Sequence, residues 1–162
     1  MGTTANVLVG VAAVSIRYPI GGSYVAVGYT EDGVSVNYTP TYTDIEVEEE
    51  VNPVRSMLTK EVTEIIVNMA ETSLFNIDKA IAGSILAGSV ITIGGGTAKE
   101  MSVKVVGKNP AGFDRTIECY KCVATGTVGM KFRKNEKTVC PVTFKALKET
   151  GHDVMTITDS AS

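Results

Sequence analysis

Apolar and polar residues alternate with a period of two along most of this chain, the pattern of strands with one buried face. Val7 to Ile16 is a denser apolar run, rich in Ala and Val, and reads as a buried strand. Tyr24 to Val27 leads toward Asp32-Gly33, and Val34-Ser35-Val36-Asn37-Tyr38 alternates directly afterwards. Asp-Gly between two alternating runs predicts a tight hairpin. Ile45-Glu46-Val47-Glu48 alternates again, and Val62 to Met69 predicts another strand beyond a loop marked by Asn52-Pro53. Later strands are expected at Val90–Ile93, Met101–Val106, Arg115–Ala124, Val128–Phe132, Thr138–Leu147 and Met155–Thr158. Gly94-Gly95-Gly96, Asn109 to Gly112 and Arg133 to Glu136 supply turns between them, and Asp159 to Ser162 reads as a frayed tail.

One segment changes period. Leu74, Ile77 and Ile81 recur at three- and four-residue spacing, which puts them on one face of a short helix over about residues 73–82. Thr72 or Ser73 can cap its start and Gly83 can close its end. The expected fold is therefore mainly β: an antiparallel β-sandwich or open barrel with one flanking helix and a long early hairpin loop. No fixed-period repeat or Pro/Gly/Ser-rich linker divides the sequence, so residues 1–162 read as one domain, with 1–6 and 159–162 as loose ends.

Composition narrows the function classes. The 162 residues carry 15 Lys plus Arg against 18 Asp plus Glu, a formal charge of −3. No basic excess exists to release counterions from a phosphate backbone, which argues against tight nucleic-acid binding. One histidine, three cysteines and no tryptophan leave little material for catalysis. The early apolar run is too short to cross a bilayer, and Met1 to Asn6 lacks the basic residues of a secretory signal. Asn6 stands where a myristoylation motif requires Ser or Thr. An odd cysteine count fits a reducing compartment, so folding in a cytoplasm is expected.

Three clusters invite chemistry. Cys119 and Cys122, with Cys140 and His152, have the residue types of a zinc set. Cys119 and Cys122 sit in a strand pattern, however, where residues three apart face opposite sides, so a structural reading is preferred. Gly94-Gly95-Gly96-Thr97-Ala98-Lys99 resembles a phosphate loop only loosely, because Glu100 follows Lys99 and a strand rather than a helix comes next. His152 lies in a turn-like stretch and reads as a surface residue. Glu46, Glu48, Glu49 and Glu50 form the densest charge cluster, read either as a solvated strand end or as a device that guards an edge for a specific partner.

Taken in order, the segments Val27 to Val34, Asp44 to Glu48, Thr63 to Glu71, Leu74 to Ala80, Ile93 to Gly96, Arg115 to Lys121 and Lys134 to Leu147 make the chain similar to the major tail tube proteins of long-tailed, siphovirus-like bacteriophages. The resemblance covers about residues 22–158; each piece alone is a turn or an alternating strand, and the cysteines lie outside the pattern. It implies a β-sandwich with a flanking helix that forms hexameric rings, stacked into a hollow conduit for genome delivery. It also implies a non-enzymatic virion protein with no metal or cofactor, assembled in the host bacterial cytoplasm alongside tape measure, tail tip and terminator proteins. DNA would pass through the lumen without tight or sequence-specific binding, and no membrane is involved. In the family, the loop between two early strands reaches toward neighbouring subunits. By position this is Glu48, Glu49, Glu50, Val51, Asn52, Pro53, Val54, Arg55, Met57 and Leu58, while Leu74, Ile77 and Ile81 would form the packing stripe of the helix. At −3 per subunit a hexameric ring carries about −18 before screening, compatible with a wall that does not grip phosphates. The alternatives are the inner tube of a contractile tail or secretion system, and a small zinc module built on Cys119, Cys122, Cys140 and His152.

Overall fold

The computed structural model describes residues 10–160. Among these, the elements in order are β1 (Ala13–Arg17), β2 (Tyr24–Ala26), β3 (Thr30–Ile45), β4 (Arg55–Met69), α1 (Leu74–Ala80), β5 (Ser84–Ala87), β6 (Val90–Ile93), β7 (Glu100–Lys108), β8 (Asp114–Thr125), β9 (Cys140–Ala146) and β10 (Met155–Asp159). One antiparallel sheet runs in the order β2-β1-β7-β8-β9-β4-β3, with β10 also paired to β8, and β5 and β6 form a separate hairpin. The fold is thus mainly antiparallel β with one short helix, as the period-two pattern implied.

The sheet curls without closing. Its edge strands β2 and β3 do not pair, yet only Val27, Gly28 and Tyr29 separate them in the chain. The four Cα steps from Ala26 to Thr30 reach no further than about 14 Å, so the two edges must be brought close. Val27 N–H donates to Val14 O at 3.0 Å and Ala70 N–H donates to Tyr29 O at 2.9 Å, which ties this crossing to both sides. The concave face then holds one core. Ile65, Val67 and Met69 of β4 pair with Phe144, Val142 and Cys140 of β9, while Val14 and Ile16 of β1 pair with Val105 and Val103 of β7. All ten are buried in a single cluster. Each large apolar side chain so buried contributes about 1.5–3 kcal/mol.

Several boundaries differ from the sequence reading. Asp32-Gly33 is not a hairpin: φ values of 58° and 77° form a bulge between Glu31 and Val34, and β3 runs on through it. Left-handed Asp-Gly serves either geometry, and the strand across from it decides which. The early alternation of Val7 to Ile16 becomes strand only from Ala13, and residues 7–9 lie outside the described residues. Only Ile45 of the Ile45 to Glu48 run is strand. Val128–Phe132 is irregular despite its alternation, because no strand among the described residues lies alongside it, and Arg133 and Glu136 form only an isolated bridge around the expected turn. The tail is ordered further than expected: Asp159 belongs to β10 and Ser160 N–H donates to Asp114 O at 2.8 Å, while 161–162 lie outside the described residues.

Candidate functional site

The feature least supported by the rest of the fold is the β3–β4 ribbon. Near Met69 it belongs to the sheet, since β4 pairs with β9 from Glu64 to Met69. Beyond Glu64, β4 pairs with β3 alone, out to Ile45 opposite Arg55. Every residue from Thr41 to Glu61 is exposed. The connection at its tip, residues 46–54, carries Glu46, Glu48, Glu49 and Glu50, with Val51 fully exposed. Of the expected interface segment, Glu48 to Val54 lie in this tip, whereas Arg55, Met57 and Leu58 are strand residues opposite Ile45, Thr43 and Tyr42. Tyr42, Ile45, Val54, Met57 and Leu58 present apolar surface to water. An isolated two-stranded ribbon is marginally stable by itself, and this one exposes apolar side chains along its length.

Where the ribbon leaves the sheet it opens a cleft of about 930 Å³. β9 ends at Ala146, and Leu147 N–H still donates to Lys121 O at 2.8 Å. The chain then loops out through Lys148 to Val154 and returns to the same edge of β8 as β10. β4 and β10 therefore face each other unpaired across a floor of Val36, Tyr38, Ile117, Met155 and Ile157.

The helix is positioned by polar contacts rather than by its apolar stripe. Ser73 caps it, its Oγ accepting from Asn76 N–H at 3.3 Å. Leu74 is exposed and Ile77 and Ile81 are half-buried, while Asn76, Asp78, Lys79 and Ala80 are buried. The expected stripe thus faces outward more than inward. Asn76 Nδ2 donates to Val27 O at 2.8 Å and Glu71 O at 2.7 Å, which fixes the helix against the sheet crossing, and its Oδ1 finds no partner among the described residues. Asp78, 1% exposed, accepts from Lys79 Nζ at 2.7 Å and Ser84 Oγ at 2.8 Å, and lies 3.1 Å from Lys99 Nζ. Lys99 Nζ also donates to Ser84 O at 2.6 Å. Burial pushes the Asp78 carboxyl up, but the bonds from Lys79, Ser84 and Lys99 outweigh it and hold it below its ordinary range. The Lys99 of the glycine-rich stretch is therefore turned inward as a structural cation, not offered to a phosphate.

The cysteines correct a geometric expectation. Met101 pairs with Cys122 and Val103 with Cys119, so two steps on β7 match three on β8. This bulge turns both thiols to the core, against the simple rule for positions three apart. Cys119 Sγ donates to Lys121 O at 3.4 Å and Cys122 Sγ to Met101 O at 3.2 Å. Cys140 is buried on β9, and burial pushes its thiol up. His152 stands apart, stacked on Tyr120 at 3.5 Å between ring centroids. Among the described residues no three His, Cys, Asp or Glu side chains are placed to hold a metal ion, so the four-residue zinc set is not assembled.

No protein-family model matches the chain, and comparison with curated proteins returns no match. Sequence reasoning located the arm's tip and its acids but missed the length of its strands, the cleft beneath it and the Asp78 cluster. Alternation across Val36 to Tyr42 and Met57 to Val67 was the available signal for the first. The others depend on residues far apart in sequence.

Proposed function

We infer that this chain is a structural subunit of a phage tail tube, which assembles as hexameric rings stacked into a hollow conduit for DNA. The observation that carries the reading is the exposed β3–β4 ribbon, a projecting element with apolar residues on a frame too thin to stand alone. Such an element gains its stability by lying against another subunit. The resemblance of the ordered segments to tail tube proteins supplies the particular assembly, and a chain charge of −3 agrees with a lumen that lets phosphates pass. The role is mechanical and calls for no catalytic group: the buried ion cluster and the buried thiols serve the subunit's own fold.

Negative-stain electron microscopy of the purified protein over a concentration series tests the reading. Hollow rings or tubes, increasing with concentration, are the expected result. Particles of monomer size at every concentration, after long incubation, would overturn the reading.

A further inference from the structure

Resting on the tail-tube reading, we propose that the acidic tip of the β3–β4 arm docks head to tail onto the basic β8–β9 connection of a second copy. The two surfaces sit at opposite ends of the same ribbon. The tip joins Ile45 to Arg55, whereas the β8–β9 connection starts beyond Thr125 and ends at Cys140, which pairs with Met69. Lys137 Nζ lies 3.0 Å from Glu31 Oε1, which fixes that connection beside the base of β3. At about 3.3 Å per residue the fifteen residues of β4 hold the two ends roughly 45–50 Å apart. Within one molecule they cannot meet.

Their chemistry is complementary. Asp44, Glu46, Glu48, Glu49 and Glu50 crowd the tip with Arg55 as the nearest base in sequence, and no acid from Glu46 to Glu50 has an ion pair among the described residues. The other end carries Lys131, Arg133, Lys134 and Lys137, all exposed, and all but Lys134 line a groove of about 700 Å³. Within the connection these four bases face one acid, Glu136, which holds Arg133 at 2.9 Å; Glu31 of β3 holds Lys137 and Asp32 lines the same groove, so one positive charge remains in excess, shared by Lys131 and Lys134. Phe132, 84% exposed, and Met130 give this end an apolar anchor, matched on the tip by Val47, Val51 and Val54. Opposite charges with apolar centres at the two ends of one subunit make a heterologous contact, the kind that grows an open stack when successive copies are displaced along one axis.

Charge reversal tests this on the full chain. Changing Glu46, Glu48, Glu49 and Glu50 to Lys reverses the tip, and changing Lys131, Arg133, Lys134 and Lys137 to Glu reverses the β8–β9 connection. All eight side chains are exposed, and circular dichroism melts check that each variant folds. Each variant alone should raise the critical concentration for tube growth about tenfold or more. A mixture of the two should co-assemble, because each then offers the other a matched pair of ends. Wild-type tubes with an unchanged critical concentration in both variants overturn the docking and leave the tube reading standing. Variants that are blocked singly but fail to rescue one another show that the two surfaces do not meet, and overturn it too. Wild-type protein that never assembles removes the tube reading, and the docking with it.

Discussion

Replacing Asp78 by Ala should be among the most damaging single changes in the subunit. The carboxylate is 1% exposed and faces two ammonium groups, Lys79 and Lys99, whose side chains are 6% and 8% exposed. Its removal leaves both cations buried without a counter-charge, a change that costs about 3–5 kcal/mol. Lys99 retains the carbonyls of Ser84 and Asp78, so the loss should fall near the lower end. With a urea slope of about 2 kcal/mol per molar, a loss of about 3 kcal/mol lowers the denaturation midpoint by roughly 1.5 M. The comparison is Glu136→Ala, which breaks an ion pair whose partners are more than half exposed and belongs with surface pairs worth about 0–1 kcal/mol. The pH dependence has a definite sign. A carboxyl held below its unfolded value, about 4, gives its full stabilisation above that pH and loses it as the pH falls through the folded value. The gap between wild type and Asp78→Asn should therefore be full near neutrality, persist to about pH 4 and close only in stronger acid. Adding Lys79→Met to Asp78→Ala should recover part of the loss by removing one unmatched cation. A midpoint shift no larger than that of Glu136→Ala, or a gap that widens on acidification, would refute the buried-charge account.

Two further outcomes follow from local structure. Ser73→Ala removes the acceptor for Asn76 N–H at the helix start and should cost about 1 kcal/mol, read as a lower midpoint in the same urea titration with an unchanged slope. Cys119, Cys122 and Cys140, each at most 1% exposed, should react with a thiol reagent far more slowly in native protein than after unfolding, when all three should become accessible together; immediate reaction of one thiol in native protein would place it outside the core.

The sequence by itself determined what depends on neighbours along the chain. Period-two alternation marked strands from Met101 to Val106, Arg115 to Ala124 and Thr138 to Leu147, and each is found with its ends moved by a few residues. Ser73 named the helix start because an N-cap needs only a side-chain oxygen and the following amides. Asn109 to Gly112 turned as expected, with Asn109 Oδ1 accepting from Ala111 and Phe113 N–H at 3.0 and 2.9 Å. The acidic tip was legible as a charge cluster on a loop.

Tertiary structure decided everything that required a distant partner. Asp32-Gly33 became a bulge because β4 continues opposite it, and Val128 to Phe132 stayed irregular because no strand among the described residues pairs with it. A bulge on β8, visible only against β7, brought Cys119 and Cys122 to one side. Leu74, Ile77 and Ile81 kept helical spacing, yet the helix was seated through Asn76 and Asp78, whose partners Val27 and Lys99 lie 49 and 21 residues away. The physical reason is common to these cases. Backbone propensity and periodicity are set within a few residues, whereas the face that is buried is set by which surfaces the folded chain brings together. The arm shows both sides of this: its charge is written in the sequence, but only the sheet's register shows that its acids stand a ribbon's length away from the basic loop.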